Sequence, residues 1–510
     1  MTAIRSSTVA DVLARSARRT PDRVALRFAD RAWTYRELDD AVTRAAAVLL
    51  ERGMTKGDRV AAYGKNSDAY VIGFLGCARA GLVHVPINYN LTGDELAYLL
   101  EQSGSSAVLV DPALAGRVSE LASAPAQVIP LRDDEASLLA LSRSGPVPAL
   151  DVQLAESDLE QLLYTSGTTS RPKGAMMTHR ALVHEYVSCI VAMGCHPDDE
   201  PLHPMPLYHS AGMHVMMLPY LAVGATNHVM ESPDVPEILR RIEADGIGAL
   251  FLAPTVWVPL SNHPDFAIRD LSSLRKAFYG ASIMPQPVLE RLQKALPELG
   301  FYNLFGQSEI GPLATVLAPE EHAERLASCG RAVLFVELRV VDGEGNDVPP
   351  GVLGEVVYRS PQLCEGYWGK PEETEEAFVG GWFHSGDLVR ADEQGYITVV
   401  DRIKDVINTG GVLVASREVE DALYTHPAVA EAAVIGAPDE RWIEAITAFV
   451  VLKDTVLKNG GPDAPSPDEL IAHTRSRLAG FKVPKRVQLV HELPRNASGK
   501  LLKRVLRDQL

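Results

Sequence analysis

Between Trp33 and Val110 the chain alternates helix-start signals with short apolar runs, and that alternation restricts the fold more than any other feature. Thr34-Tyr35-Arg36-Glu37 has the Thr-x-x-Glu form of a capping box, in which hydroxyl and carboxylate satisfy the first free N–H groups of a helix. Leu38, Val42, Ala45, Ala46 and Leu49 then recur at helical spacing until Gly53. Arg59–Tyr63 reads as a strand, Ser67 caps a helix ending at Gly81, and Val83–Val85 is a buried strand. Thr92-Gly93-Asp94-Glu95 is a second capping box, before a helix through Leu99 and a strand at Ala107–Val110. Strands that alternate with helices build a largely parallel sheet covered by helices. Upstream, Thr8 with Asp11 starts a helix whose Val9, Leu13 and Ala17 share a face. The arginine-rich N-terminus is therefore read as part of the fold and not as a transit peptide.

Alternation resumes with helices near Ala181–Met193 and Pro236–Ala244 and a strand at Gly248–Leu252. From Leu334 the texture changes to strands joined by Asp342-Gly343 and Gly345-Asn346, which suit hairpins. Past Arg402 a helix at Ser416–Tyr424 and a strand near Ala432–Ile435 make the pattern α+β. Ser142 to Leu154 reads as a connector, and the stretch around Gly460-Gly461-Pro462 as a mobile loop. At 510 residues more than one folding unit is expected. The predicted class is α/β: a large N-terminal domain over 1–402, with parallel-sheet subdomains and a β-rich subdomain, and a small mobile α+β domain over 403–510.

One stretch carries chemistry by itself. Tyr164-Thr165-Ser166-Gly167-Thr168-Thr169-Ser170-Arg171-Pro172-Lys173-Gly174 follows the apolar Leu162-Leu163. Glycines let successive N–H groups face an anion, and hydroxyls add donors, so the loop suits a polyphosphate. It is not a Walker A loop, since Lys173 is followed by Gly174. The net charge of -17 argues against nucleic acid or an anionic membrane as a partner. Cys77, Cys189, Cys195, Cys329 and Cys364 form no Cys-x-x-Cys pair, which fits a reducing compartment, expected to be the cytoplasm. No apolar run reaches the roughly 18 residues of a membrane span.

The loop resembles the phosphate loop of the adenylate-forming superfamily of acyl-CoA synthetases, peptide-synthetase adenylation domains and luciferases. Further motifs follow in the family's order. Phe305-Gly306-Gln307-Ser308-Glu309 is similar to its aromatic-Gly-x-Thr-Glu motif. The resemblance makes Glu309, with Thr165, the magnesium site; Ser308 reaches the α-phosphate, Phe305 stacks near adenine, and Asn303 reads the adenine amino group. Gly280, Ala281 and Gly306 complete the nucleotide surface, with Thr165, Ser166, Gly167, Thr168, Thr169 and Lys173 on the phosphates. His384-Ser385-Gly386-Asp387 resembles the Thr-Gly-Asp signature, which assigns Asp387 to the ribose diol; Arg402 corresponds to the ribose-contacting arginine and Lys404 to the interdomain hinge. Gly410-Gly411 fall in the thioester-forming loop. Leu493-Pro494-Arg495-Asn496-Ala497-Ser498-Gly499-Lys500 is similar to the C-terminal Gly-Lys motif, whose lysine bridges carboxylate and phosphate. Ser170, Phe305 and Ser308 stand where Gly, Tyr and Thr are commoner, and Val412-Leu413 where an Asn often follows.

Met205 to His214 corresponds to the family's segment beside the acyl pocket, and no Asp, Glu, Lys or Arg lies between Pro204 and His228. Amino-acid adenylation domains place an aspartate there to clamp the substrate amine. His209, Gly212, Met213, Tyr279 and Gly311 are the expected substrate contacts, with His209 also counted among the catalytic residues Lys500, Glu309 and Ser308. The pattern is closest to stand-alone fatty or medium-chain acyl-CoA synthetases. The expected reaction uses ATP, Mg2+ and coenzyme A to turn an apolar carboxylic acid into its thioester through acyl-AMP, releasing pyrophosphate and AMP. An aryl-acid ligase, and a ligase loading a carrier-protein phosphopantetheine, are the alternatives; the end of the chain at Leu510, without a carrier domain, tilts the reading to CoA. A luciferase-like oxidation and an inactive nucleotide- or acyl-binding protein are more remote. The partners are the acid, ATP and CoA, with a carrier protein and a second copy of the chain as further candidates. Nucleic acid and integral membrane contact are not expected.

Overall fold

The computed structural model describes residues 7–510 except 166–170, 283, 285, 411, 440, 454–463 and 496–500. Four sheets organise them. The first runs, edge to edge, through Gln127–Pro130, Ala107–Val110, Arg59–Tyr63, Val83–Ile87, Leu159–Thr165 and Lys173–Thr178. Its strands are parallel except for the last, which folds back antiparallel with Thr165 opposite Lys173. That register brings both ends of the phosphate-loop stretch together. The second sheet has nine strands, parallel from Val24–Phe28 across to Gly300–Phe305 and antiparallel at both edges. A third, wholly antiparallel sheet lies between Glu337 and Arg402, and the last sheet between Ile407 and Leu489.

Local signals account for the elements. Helix Tyr35–Glu51 has its capping box, with Thr34 Oγ1 accepting from the Glu37 N–H. Ser67 caps helix Asp68–Ala80, which Gly81 ends at φ 71°, a left-handed value that favours glycine. The box at Thr8 and Asp11 starts helix Val9–Arg19, as its spacing predicts. The box predicted at Thr92 does not form. Thr92 is the N-cap of helix Gly93–Ser103 without a side-chain cap bond, because Gly93 enters the helix at φ 52° and turns the first residue off the geometry a box requires. Asp94 and Glu95 still favour that end through the helix dipole. The strand expected near Ala432–Ile435 is part of a longer hairpin, Val429–Asp439 with Ile443–Leu452. Helix Leu138–Ser142 leads into the predicted connector, and most of the loop predicted around Gly460 lies outside the described residues.

Apolar packing joins the sheets. Phe278, Leu304 and Val316 of the nine-stranded sheet share a core with Val340, Val356, Tyr358, Phe383 and Val389 of the antiparallel sheet. Helix His179–Met193 packs between the first two sheets, contributing Ala181, Leu182 and Tyr186 to one core and Cys189 and Met193 to another. The C-terminal sheet has its own core, including Ile407, Val434, Ile446 and Leu470. The protein is thus a mixed α/β fold with parallel sheets, a β-rich part and a small C-terminal α+β domain. Among the described residues no helix is long and apolar enough to cross a membrane.

Candidate active site

Glu309 lies where three segments meet. Strand Gly300–Phe305 runs into Gly306, where a Cβ would stand 2.0 Å from the Pro312 carbonyl oxygen, so only glycine passes. A single turn, Ser308–Ile310, then points Glu309 inward, leaving it 8% exposed. Its Oε1 accepts two hydroxyl hydrogen bonds, from Thr165 Oγ1 and from Tyr367 Oη, each 3.1 Å long. Tyr367 arrives there because residues 364–368 are stitched to the neighbouring strand: Met176 N–H donates to the Gly366 carbonyl, Trp368 N–H to that of Gly174, and Cys364 N–H to that of Glu309 itself. Burial, reinforced by the Glu309 charge, raises the Tyr367 phenol far above its usual range, so it stays a donor. Lys173 Nζ sits 5.0 Å from the centre of the Tyr367 ring. Ser308 Oγ lies 3.0 Å from Ser210 Oγ, which links the turn to the predicted acyl segment.

This donor set fits magnesium. With Oε1 committed to two hydroxyls, Oε2 has no hydrogen-bond partner among the described residues, and a hard cation takes a lone carboxylate plus phosphate and water oxygens. Among the described residues no cluster of three or more His, Cys, Asp or Glu could hold a metal ion.

The predicted nucleoside residues fall on two sheets. Asp387 and Arg402 are cross-strand partners in the antiparallel sheet, their Oδ1 and Nε 3.2 Å apart, and Asp387 is almost buried. Ser385 Oγ accepts the Asp387 N–H at 3.0 Å and orients that turn. On the nine-stranded sheet Asn303 Nδ2 donates to the Ser328 carbonyl at 2.9 Å, which leaves its oxygen as an acceptor. Gly280 abuts the strand carrying Phe305: a Cβ there would lie 2.2 Å from the Leu304 oxygen. Ala281, exposed at the strand end, takes φ 63°, a left-handed value strained for a residue with a Cβ.

The predicted acyl segment forms a π-helix, Ala211–Met217. Such widened turns recur at functional sites. At its start His209 is exposed, with Nδ1 accepting the Ala211 N–H at 3.2 Å. Gly212 is pressed against the preceding loop, where a Cβ would stand 2.4 Å from the Pro206 oxygen. Met216 and Gly212 line a narrow cleft with Leu202, His203, Met205 and Phe251. Met213 is buried in the core, and so is Tyr279, whose hydroxyl lies 3.0 Å from His322 Nε2. Gly311 is buried beside the Glu309 turn. His214 anchors the π-helix, with Nδ1 at 2.9 Å from Tyr186 Oη and Nε2 at 2.6 Å from Gln161 Oε1. Burial pushes its imidazole down to about 3, so it is neutral.

Lys404 is exposed in the single turn Ile403–Asp405, and its carbonyl accepts from Arg507. Gly410 takes φ 64°, and its N–H donates to the Trp442 carbonyl at 2.6 Å. Ser166, Gly167, Thr168, Thr169, Gly411 and Lys500 lie outside the described residues. Thr165, Lys173, Ser308 and Glu309 are brought together, as are Asp387 and Arg402. Tyr367 and Ser210 join the site without having been anticipated. The only signal for Tyr367 was the aromatic pair flanked by glycines, Gly366-Tyr367-Trp368-Gly369.

With this geometry in view, comparison with known proteins is informative. Residues 13–368 match the family model of the AMP-binding enzymes, and residues 418–500 that of the AMP-binding enzyme C-terminal domain. The chain belongs to the AMP-binding enzyme family, and it is an AMP-forming acid–thiol ligase. It is 39% identical to a feruloyl-CoA synthase of Amycolatopsis sp. over 495 residues, 96% of each chain. It is 34% identical to a fatty acid–[acyl-carrier-protein] ligase, ScoC, of Streptomyces coeruleorubidus, covering 94% of this chain and 92% of that one. The crystal structure of ATP-bound MatB from Rhodopseudomonas palustris superimposes with a TM-score of 0.88 at 29% identity, covering 98% of both chains.

Proposed function

We propose that the protein converts an apolar carboxylic acid to its CoA thioester in two steps. The carboxylate oxygen attacks the α-phosphorus of ATP and pyrophosphate leaves; the CoA thiol then attacks the acyl carbonyl and AMP leaves. The observation that carries this reading is the Glu309 carboxylate, fixed through one oxygen by Thr165 and Tyr367 and set beside the Ser308–Ser210 pair. Magnesium bound there would neutralise phosphate charge. Thr165 and Tyr367 hold the carboxylate in place, Ser308 offers a hydroxyl to the α-phosphate, and Lys173 adds positive charge at the mouth of the phosphate loop. Asp387 accepts from the ribose diol, Arg402 fixes Asp387, and Asn303 and Phe305 hold the base. Gly280 and Gly306, where neighbouring carbonyls leave no space for a Cβ, and the exposed Ala281 form the small-residue surface assigned to the nucleotide.

The division of the chain near 402/403 belongs to the same proposal. The small domain delivers Lys500 to the reacting phosphate and then turns about Lys404 to bring Gly410-Gly411 to the thiol. An uncharged acyl tail is favoured because the wall from Pro204 to His228 carries neutral side chains, with His209 exposed at its near end and Gly212 and Met216 lining a cleft. An aryl acid is the reading favoured within that class, supported by the feruloyl-CoA synthase relative; a fatty acid on a carrier protein is its counterpart in the ScoC relative. The test is pyrophosphate release from ATP and magnesium with hydroxycinnamates, benzoates, fatty acids, dicarboxylates and amino acids, followed by CoA or a phosphopantetheinylated carrier protein. A highest kcat/KM on malonate or a free amino acid overturns the reading of the pocket.

A further inference from the structure

Helix His179–Met193 buries a carboxylate that none of the chemistry above uses. Glu185 is fully buried, and its Oε1 accepts the Leu313 N–H at 2.9 Å and the Cys189 thiol at 3.3 Å. Its Oε2 accepts from Gln362 Nε2, itself wholly buried. The same Gln362 nitrogen shares its hydrogens with the carbonyls of Leu313 at 3.1 Å and Ile310 at 3.3 Å. Gln362 Oε1 accepts from Ser188 Oγ at 2.6 Å, which sets the orientation of the amide. Gly311 fits beneath the pair because it lacks a side chain: a Cβ there would stand 2.8 Å from Glu185 Oε2.

Three main-chain groups of residues 310–313 are thereby satisfied by two side chains remote in sequence. The segment begins one residue after Glu309, and the Cys364 N–H to Glu309 carbonyl bond anchors Glu309 to the chain that carries Gln362. A buried carboxylate is expensive, and an apolar residue of similar size usually packs at least as well. Burial pushes this one up to about 8, countered by the Leu313 N–H. Packing alone does not account for an acid here; aiming the turn does.

We infer that Glu185 and Gln362 are positioning residues, a buried clamp that sets the 309–313 turn and with it both the Glu309 carboxylate and the Gly311–Leu313 backbone. The inference rests on the proposed role of Glu309, yet the clamp can be tested without it. Glu185→Leu removes the acceptors at nearly constant volume; Glu185→Gln keeps an acceptor for Leu313 but sets a donor against the Gln362 amide; Gln362→Met removes the donors. For variants that keep a cooperative melt, hydrogen exchange of peptide 309–314 in the ligand-free enzyme should quicken at least about tenfold, while strand 59–63 is unchanged. The kcat/KM of acyl-AMP formation should fall about 10- to 100-fold, with KM raised for both acid and ATP, the scale of a small misplacement of reacting groups. Glu185→Leu combined with Gln362→Met should be no worse than the more impaired single variant.

Wild-type exchange at 309–314 in a folded Glu185→Leu variant overturns the clamp. So does faster exchange with unchanged kcat/KM. If Glu185→Leu does not fold, Glu185→Gln and Gln362→Met decide by the same two readouts. If the native enzyme activates no acid at all, the proposed function falls, and exchange at 309–314 alone decides the clamp.

Discussion

Tyr367→Phe isolates one hydrogen bond in the candidate site. The ring stays, and with it the contact to Lys173 Nζ; only the hydroxyl that donates to Glu309 Oε1 at 3.1 Å is lost. A hydrogen bond to a charged group contributes roughly 1.5–3 kcal/mol. Glu309 is 8% exposed, so water does not easily replace the missing donor. Thr165 Oγ1 remains, and one of two restraints on the carboxylate survives. The carboxylate then rotates more freely, and affinity for the cation should weaken by about ten- to a hundredfold, the equivalent of that energy. The assay is pyrophosphate release titrated with magnesium at saturating ATP and acid, alongside thermal unfolding. The expected result is a higher magnesium requirement with a melting temperature within a few degrees of the native protein. An unchanged magnesium curve refutes the reasoning, because it means the Tyr367 hydroxyl does not orient the carboxylate.

Other perturbations probe the remaining parts. Glu309→Gln keeps the size and removes the charge, so acyl-AMP formation should fall by orders of magnitude while folding changes little; near-native turnover would exclude it as the metal ligand. Lys500→Ala should slow acyl-AMP formation by on the order of 10²–10³ while sparing thioester formation from supplied acyl-AMP, and Lys404→Pro should do the reverse; equal slowing of both half-reactions by Lys500→Ala would refute the division of labour. Burial lowers His84 and His214 to about 3 and His179 and His203 to about 4, below the unfolded value of 6.5. Their folded forms bind fewer protons, so the stability they contribute above pH 6.5 is lost as pH falls toward 4, by about 1.4 kcal/mol per pH unit for each at full slope. Burial also raises Glu185 to about 8 and Glu160 well above the usual carboxylate range, and raises Glu420 and Asp421; these act oppositely, adding stability as pH falls. Removing one opposing group separates the two sets: in Glu185→Gln the urea midpoint should fall more steeply from pH 7.5 to 5 than in the native protein, and an unchanged pH profile refutes the linkage.

What could be read from the residues follows the range of the forces involved. Helix caps and strand alternation are local, so the 35–51 helix and three of the six strands of the first sheet, at 59–63, 83–85 and 107–110, were legible from a few neighbouring side chains. The box at Thr92 failed for an equally local reason, a left-handed Gly93, which a pattern of residue types does not encode. The site was legible where chemistry clusters in one stretch, as at Thr165, Glu309 and Asp387. Tyr367 was not, because its partner is 58 residues away and the two meet through backbone bonds from residues 364–368 to the strand at 174–176 and to Glu309 itself. The π-helix was hidden for a different reason. Its widened turn buries Met213, His214 and Met217, a spacing that an α-helical count reads as an ordinary apolar stripe. Only the bonds from His214 to Tyr186 and Gln161 reveal why a polar ring belongs there. Through them the proposed acyl wall is tied to the strand that leads into the predicted phosphate loop, since Gln161 lies four residues before Thr165. A substitution at His214 should therefore disturb both the 211–217 helix and the strand that ends at Thr165, on both sides of the proposed reacting centre, although the ring itself is fully buried.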